Sequence, residues 1–288
     1  MDKLLKGVTE NGFLSVTLIE ETKVVNTAIK LHNLNPLTAA ALGRTLIAST
    51  FMASELKSES DRLSVTVAGD GVGGKVIVSA GSDLKVRGYI ENPNAELPLK
   101  QNGKLDVASL IGNGRITVVR STGLKGSYTG TSKIISGELA EDFAYYYAVS
   151  EQQPTAMALG VKTSAGGVCL GAGGVIIQAL PGATDEILTR AENKIAEFSN
   201  ISELIRIYGI DGVKEKYFSD VTFDESIPAY ECICSKEYID SIIISLGKSE
   251  AEDILKEQGK IEIKCEYCNK KYVYGKKDTE ELFRSKNG

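Results

Sequence analysis

Four cysteines near the end of this 288-residue sequence are the residues best suited to chemistry. Cys232 and Cys234 form a C-x-C pair, and Cys265 and Cys268 form a C-x-x-C pair after thirty intervening residues. Two close pairs of thiolates supply four soft ligands, which is the donor set of a tetrahedral Zn²⁺ site. We therefore predict that these four cysteines hold one zinc ion per chain in the reduced protein.

The same sulfurs are also predicted to be a site of oxidation, because zinc-bound thiolates are electron-rich. A second thiol stands close to the first within each pair, so two local disulfides would consume all four ligands and release the metal. A segment of 57 residues has a thin core, and metal binding worth about 10–16 kcal/mol in zinc peptides would supply much of its folding energy. A structural zinc ribbon that never changes its redox state is the alternative.

The chain upstream of these pairs is predicted to be a mixed α/β N-terminal domain over residues 1–181, so that the protein as a whole belongs to the α+β class. Helices are predicted to begin at Asn35-Pro36, with Asn as the cap and Pro at the first helical position, and to span 138–150. The strand patterns lie at 13–19, 63–67, 75–79, 84–90 and 175–180.

Residues 182–231 have a different character and predict a helical linker that is acidic and amphipathic, with a net charge of −6. Its apolar side chains recur at helical spacing and must be buried against a neighbour. They are Ile187, Leu188, Ile195, Phe198, Leu204, Ile205 and Tyr208. Gly209 is expected to end the second helix. Residues 232–288 then form a small C-terminal zinc-binding domain, with a helical pattern over 238–246 and strand patterns at 261–264 and 272–274.

A G-x-G-x-x-G pattern at 69–74 is the one candidate for a dinucleotide site. Such a site requires the glycine loop to lead into a helix whose N-terminus binds the pyrophosphate. Residues 75–78 instead have a strand pattern, so we predict a glycine turn in a hairpin.

Composition argues against several other functions. The chain carries 33 basic and 38 acidic residues, a net charge of −5, which is atypical of a nucleic-acid-binding protein. His32 is the single histidine, which makes a Ser-His-Asp triad unexpected and a multi-histidine metal site impossible within one chain. The longest uncharged stretch, 163–184, contains six glycines and predicts strands around Cys169 rather than a membrane span. We expect a cytoplasmic protein, because no signal peptide pattern is present and paired cysteines in a reducing compartment favour metal or redox chemistry.

Two rival functions of the cysteine segment are weighed against a zinc switch. A zinc ribbon could bind nucleic acid through Lys270, Lys271, Lys276 and Lys277, but this segment is electrically neutral, so solvated lysines are expected. A thiol-disulfide oxidoreductase would need its C-x-x-C pair at a helix N-terminus, whereas this pair lies between two strand patterns.

The cysteine spacing and several upstream segments resemble the heat-shock protein 33 family, a family of redox-regulated chaperonins. The tail over 265–272 is similar to the second zinc motif of that family. Further segments similar to the family occur in the expected order at 40–45, 103–107, 136–146, 150–152 and 178–183. The resemblance covers essentially the whole chain.

This resemblance implies an ATP-independent holdase, a chaperone and not an enzyme. In reducing conditions the four cysteines would bind zinc and the protein would be inactive. Peroxide or hypochlorous acid would form the disulfides Cys232–Cys234 and Cys265–Cys268, zinc would be lost, and the zinc domain and then the linker would unfold. The oxidised form would dimerise and bind unfolding client proteins. We hypothesise that the zinc domain supports the linker, so that its unfolding exposes the seven apolar linker side chains to clients.

Overall fold

The fold is divided into two units, Met1–Glu231 and Cys232–Gly288, by its pattern of contacts. The structure is a computed structural model that describes residues 1–122 and 126–284. The last four residues of the predicted zinc-binding domain, 285–288, lie outside the described residues. All four paired cysteines belong to the second unit.

The first unit contains two sheets and six α-helices among its described residues. Its strands are β1 (Lys3–Val8), β2 (Leu14–Glu20), β3 (Arg62–Gly69), β4 (Val76–Gly81), β5 (Lys85–Ile90), β6 (Gly114–Ser121), β7 (Ser127–Lys133), β8 (Thr155–Thr163), β9 (Cys169–Ala179), β10 (Thr222–Ser226) and β11 (Ala229–Tyr230). Its helices are α1 (Thr22–His32), α2 (Pro36–Ala53), α3 (Val107–Ile111), α4 (Ala140–Tyr146), α5 (Asp185–Ala196) and α6 (Ile201–Tyr217). A π-helical turn, Tyr147–Glu151, extends α4, so the helix predicted over 138–150 is present in two geometries.

Both sheets are built mainly from antiparallel neighbours. Sheet 1 has the strand order β10-β1-β2-β9-β8, and sheet 2 has the order β11-β5-β4-β3-β6-β7. Only the short β11, of the described strands, pairs in parallel, with β5. Buried Leu63, Val65 and Val67 alternate with less buried residues along β3, as one buried sheet face requires. This mixture of helices and sheets confirms the predicted α+β class.

Helix α2 is the central core element of the first unit. Every residue of it except Pro36 and Arg44 is buried, because it contacts strands of both sheets. A helix that is apolar on all faces is expected in such a position. It begins as predicted, with the Asn35 side chain accepting a hydrogen bond from the Thr38 amide at 2.9 Å.

The glycine pattern at 69–74 is a hairpin turn between β3 and β4, as predicted. The glycines allow this turn to pack directly on the end of α3. A Cβ atom on Gly69 would lie 2.0 Å from the Ile111 carbonyl oxygen, and one on Gly71 would lie 2.4 Å from that of Leu110. Only residues without a side chain fit there. Because β4 and not a helix follows, the turn lacks the geometry of a dinucleotide site.

The predicted helical linker, residues 182–231, contains two strands in addition to its two helices. Strand β10 pairs with β1 at the edge of sheet 1, and β11 pairs with β5 at the edge of sheet 2. The sequence of β10, Thr-Phe-Asp-Glu-Ser, is largely exposed and polar and so lacks the apolar alternation that predicts a strand. Within α6 the first helical segment ends at Gly209 (φ 65°, ψ 174°), as predicted, and a second helical segment that was not predicted follows it to Tyr217.

The uncharged stretch at 163–184 spans the end of β8, all of β9 and the turns beside them. The strands predicted around Cys169 and at 175–180 form one continuous strand, β9. Among the described residues, no helix has both the length and the apolar character needed to cross a bilayer.

Over its described residues, 232–284, the second unit has three helices and a two-stranded hairpin. Its elements are α7 (Lys236–Leu246), α8 (Lys248–Gln258), β12 (Ile261–Lys264), β13 (Lys271–Tyr274) and α9 (Lys276–Arg284). Its small core is formed by Ile239, Ile243, Ala251, Ile261, Tyr272 and Tyr274. The predicted helix at 238–246 and the predicted strands at 261–264 and 272–274 are confirmed.

Candidate metal centre

The C-x-x-C pair lies in the turn that joins β12 to β13. This C-x-x-C turn, residues 265–270, is closed by two backbone hydrogen bonds. The Cys265 amide donates to the Lys270 carbonyl at 3.0 Å, and the Asn269 amide donates to the Cys265 carbonyl at 2.8 Å. Asn269 has a φ of 59°, a left-handed conformation that asparagine tolerates better than most residues. The tight turn brings both sulfurs to one side.

The C-x-C pair lies in residues 231–235, here called the C-x-C arm, which form neither helix nor strand. Ser235 caps α7 by accepting a hydrogen bond from the Tyr238 amide at 3.1 Å, so the arm leads directly into that helix. The Tyr272 hydroxyl on β13 donates a hydrogen bond to the Cys234 carbonyl at 2.7 Å. This bond ties the arm to the hairpin that carries the other two cysteines.

Together the arm and the turn bring all four predicted ligands into one cluster. The sulfurs of Cys232, Cys234, Cys265 and Cys268 all lie within 4.8 Å of one another. Sulfurs at the corners of a tetrahedron with metal–sulfur bonds of about 2.3 Å would be about 3.8 Å apart. The size and the donor type of the cluster therefore fit a single tetrahedral metal ion. None of the four is in a disulfide.

The thiols in the cluster differ in acidity because their surroundings differ. Burial, together with hydrogen bonds to Cys234 and Cys265, raises the pKa of Cys232. Burial also acts to raise the pKa of Cys234, but hydrogen bonds with Tyr272 and Cys268 outweigh it and lower that pKa to about 7. Burial raises the pKa of Cys268 to about 11. Of these three, Cys234 most readily becomes a thiolate, the form that binds metal and reacts with oxidants.

A profile of the family described as Hsp33 protein matches residues 2–275. The chain belongs to the Hsp33 family. Its similar proteins include the 33 kDa chaperonins of Clostridium acetobutylicum, 38% identical over 98% of this chain and 97% of that protein, and of Clostridium tetani, 41% identical over 99% of each. The crystal structure of the 33 kDa chaperonin from Thermotoga maritima, a heat shock protein 33 homologue, is similar with a TM-score of 0.89 and 33% identity, covering 99% of both chains.

Membership of the Hsp33 family confirms the resemblance seen in the sequence and establishes that the protein is a chaperone and not an enzyme. The fifth cysteine, Cys169, is only 3% exposed in β9, and burial raises its pKa to about 11. His32, the single histidine, has its Nε2 atom 3.4 Å from the Tyr230 hydroxyl. Neither residue belongs to the cysteine cluster.

The seven apolar linker residues predicted to bind clients are covered to different degrees. Phe198 and Ile205 are buried and Tyr208 is 49% exposed, whereas the half-buried members are Ile187, Leu188, Ile195 and Leu204. The buried ones join a cluster with the outer face of sheet 1, formed by Leu5, Val16, Leu18, Val175 and Ile177. Sequence reasoning therefore identified an apolar face but not the surface that covers it.

Several equally buried residues of this cluster were missed by the sequence analysis. They are Ile201, Ile210, Val213, Phe218 and Val221. A usable signal was present, because Ile210 and Val213 continue an i, i+3 apolar spacing beyond Gly209. The pattern alone did not predict them because a second helical segment was not expected after that glycine.

Proposed function

We propose that this Hsp33 protein is a redox-regulated, ATP-independent holdase that binds unfolding proteins under oxidative stress. Its three parts would be a chaperone core over 1–181, a linker over 182–231 and a zinc-binding switch over 232–288. The observation that carries the proposal is the cluster of four cysteine sulfurs in a unit of its own, found in a family of chaperonins.

Zinc is the metal that this cluster suits best. Four sulfur ligands favour a soft or borderline-soft tetrahedral ion, and no histidine or carboxylate belongs to the described cluster. Cys232, Cys234, Cys265 and Cys268 would each supply one thiolate. A bound zinc ion would supply folding energy rather than catalysis, because structural zinc sites contribute directly to the stability of small domains. In this reduced state the protein would be inactive.

Oxidation is proposed to convert the ligands into the disulfides Cys232–Cys234 and Cys265–Cys268. As each S–S bond forms, two thiols give up two protons and two electrons, which hydrogen peroxide takes up to give two water molecules. Contacts across the two motifs are also short, since Cys234 and Cys268 have sulfurs 3.2 Å apart. Once the domain loosens, however, the closure of a shorter loop costs less entropy, which favours the local pairs. The oxidised pairs would no longer bind the ion.

Loss of the metal is proposed to release the linker because the end of the linker is covalently continuous with the C-x-C pair. Residues 229–231, directly before Cys232, are held to β5 and to the residue before it by two backbone hydrogen bonds of 3.1 Å. The Ala229 amide donates to the Leu84 carbonyl and the Glu231 amide to the Val86 carbonyl. An ion pair of 2.8 Å between Lys85 and Glu231 adds to them. With the zinc domain unfolded, β11 would be followed by a mobile chain and would separate from β5 more easily.

Release of α5 and α6 would expose two apolar surfaces to clients. One is the linker face with Ile187, Leu188, Ile195, Phe198, Leu204, Ile205 and Tyr208. The other is the face of sheet 1 that these helices cover. These two apolar surfaces, once exposed, would bind the apolar segments of unfolded chains. It would also favour a homodimer of the oxidised form, while the net charge of −5 would favour solubility.

The proposed partners are unfolding proteins and a second copy of the chain, and neither nucleic acid nor a membrane is among them. The proposed location is the cytoplasm, where glutathione and thioredoxin keep thiols reduced and would therefore keep the four cysteines in the zinc-bound state.

The experiment that tests this function measures zinc release and client protection in the same sample. Reduced, zinc-loaded protein is treated with peroxide at raised temperature while a zinc-sensitive dye and the light scattering of a heat-denatured client are followed together. We expect scattering to be suppressed only as zinc appears in solution. Equal suppression by the reduced, zinc-loaded protein would contradict the switch.

A further inference from the structure

Two tyrosines on β13 make matching hydrogen bonds towards α7. Tyr272 is 7% exposed and Tyr274 is 3% exposed, and both rings lie in the core of the second unit. The Tyr272 hydroxyl donates to the Cys234 carbonyl at 2.7 Å, and the Tyr274 hydroxyl donates to the Asp240 carboxylate at 2.6 Å. The two bonds therefore fasten the same strand to consecutive parts of the chain, the C-x-C arm and the helix that follows it.

Only the first of these bonds reaches the metal ligands. Tyr272 belongs to the hairpin that carries the C-x-x-C turn, and it pairs with Ile263 on β12. Its acceptor belongs to the opposite half of the site, the C-x-C arm, which lies in neither helix nor strand. The Lys270 ammonium, 5.0 Å from the centre of the Tyr272 ring, provides a further contact that orders this ring.

We propose that Tyr272 is a positioning residue for the metal centre. Its hydroxyl holds the C-x-C arm against the C-x-x-C turn and so keeps Cys232 and Cys234 bound to the metal. The inference rests on the metal site of the proposed function and adds to it a residue that keeps its two halves together. Without the Tyr272 hydroxyl, the partly buried Cys234 carbonyl loses the hydrogen bond that holds it in place. The C-x-C arm would therefore open ahead of the C-x-x-C turn, whereas with the hydroxyl the two halves open together.

The expected size of the effect follows from other metal sites. Removal of a hydrogen-bond partner that orients a ligand typically costs about 10–100-fold in metal affinity. Tyr272→Phe removes one hydroxyl and keeps the ring in the core. Tyr274→Phe removes the neighbouring hydroxyl from the same strand without touching a cysteine, so it is a matched control for lost stability.

The test is the rate at which each cysteine of the full-length, zinc-loaded, reduced protein is alkylated. Samples taken over time are digested, and mass spectrometry follows Cys232 and Cys234 separately from Cys265 and Cys268. In Tyr272→Phe we expect the C-x-C pair to react about 10-fold faster than in the wild type and ahead of the C-x-x-C pair. In Tyr274→Phe all four cysteines should keep a common rate, because a destabilised domain opens as a whole. Circular dichroism of the zinc-loaded variants and the absorption of their Co²⁺ forms check that both still fold and bind a metal.

Each outcome has a distinct meaning. Four equal rates in Tyr272→Phe, or the same pattern in both variants, would overturn the positioning role while leaving the metal centre and the chaperone proposal intact. Immediate reaction of all four cysteines in the wild type would instead show that no metal protects them, which would overturn the metal centre and the role of Tyr272 with it. Failure of client protection in a separate assay would affect only the proposed function.

Discussion

The sulfur of Cys234 lies 3.2 Å from that of Cys268, although the two residues are 34 positions apart. A second contact of 3.6 Å joins Cys232 to Cys265. Each motif thus presents its sulfurs to the other motif, as ligands of a shared ion must. A site of this kind depends on both halves of the second unit, and its loss is coupled to the unfolding of that unit.

Replacement of one ligand should therefore abolish tight metal binding. Cys265→Ser removes one corner of the tetrahedron and leaves three thiolates, so we expect the zinc content after dialysis to fall from one ion per chain to well below one. Cys169→Ala is the matched control, because this cysteine is buried in the first unit and lies outside the cluster. Zinc content is measured by atomic absorption. An unchanged affinity of Cys265→Ser would rule out Cys265 as a ligand.

Oxidation should produce disulfides within the motifs and not between them. Peroxide at raised temperature is expected to give peptides linked through Cys232–Cys234 and Cys265–Cys268, because these loops are short once the domain loosens. Cys169 should stay reduced, since it is 3% exposed and burial raises its pKa to about 11. Mass spectrometry without reduction identifies the linked peptides. Cross-links of Cys234 to Cys268 would mean that oxidation captures the folded geometry instead.

The cluster of four cysteines could be predicted from the sequence because its pattern is local. Each pair of cysteines is separated by one or two residues, and this residue type at this spacing is enough to indicate a candidate set of metal ligands. The role of Tyr272 could not be predicted in this way. Its partner Cys234 is 38 positions away, and the contact exists only because the hairpin folds back on the start of α7.

The packing of the linker was less predictable because it depends on long-range pairing. Strand β10 is polar and joins sheet 1 only through β1, with Thr222 opposite Val8. The continuation of α6 beyond Gly209 has a similar cause. The Glu20 carboxylate accepts a hydrogen bond from the Ile210 amide at 2.9 Å, which satisfies a free amide and allows a new helical segment to start. Neither partner is visible from the local sequence.

Glu21 gives the first unit a stability that depends on pH. Its side chain is fully buried beside α1, and burial raises the pKa of Glu21 from 4.5 to about 8, an effect that the Thr50 hydroxyl offsets in part. Between these values the unfolded chain ionises the carboxyl group while the folded chain keeps it protonated. The free energy of unfolding should therefore fall as the pH rises from about 5 to 8, by at most about 1.4 kcal/mol per pH unit from this group.

Glu21→Gln should remove this dependence, because an amide does not ionise. Urea unfolding at several pH values measures the slope, and we expect the variant to gain stability relative to the wild type as the pH rises. Glu59→Gln is the control, since this glutamate is exposed. Parallel pH profiles of Glu21→Gln and the wild type would show that Glu21 is not the group responsible.

The linker should be releasable without oxidation if its contact with sheet 1 is weakened. Ile205 is 3% exposed and packs in the cluster that joins α6 to sheet 1, so Ile205→Ala should cost about 2–5 kcal/mol. We expect the reduced variant to suppress client aggregation while it retains one zinc ion per chain, because the metal centre is untouched.

Tyr208→Ala is the matched control for Ile205→Ala, because Tyr208 lies on the same helix but is 49% exposed and so contributes little to the packing. The reduced Tyr208→Ala variant should stay inactive as a chaperone. After oxidation it should protect clients less well than the wild type, since an apolar contact surface for clients has been removed. Light scattering of a heat-denatured client and a zinc assay on the same samples measure both variants. If reduced Ile205→Ala unfolds at a lower temperature and yet gives no protection, release of the linker is not sufficient to create the client-binding surface.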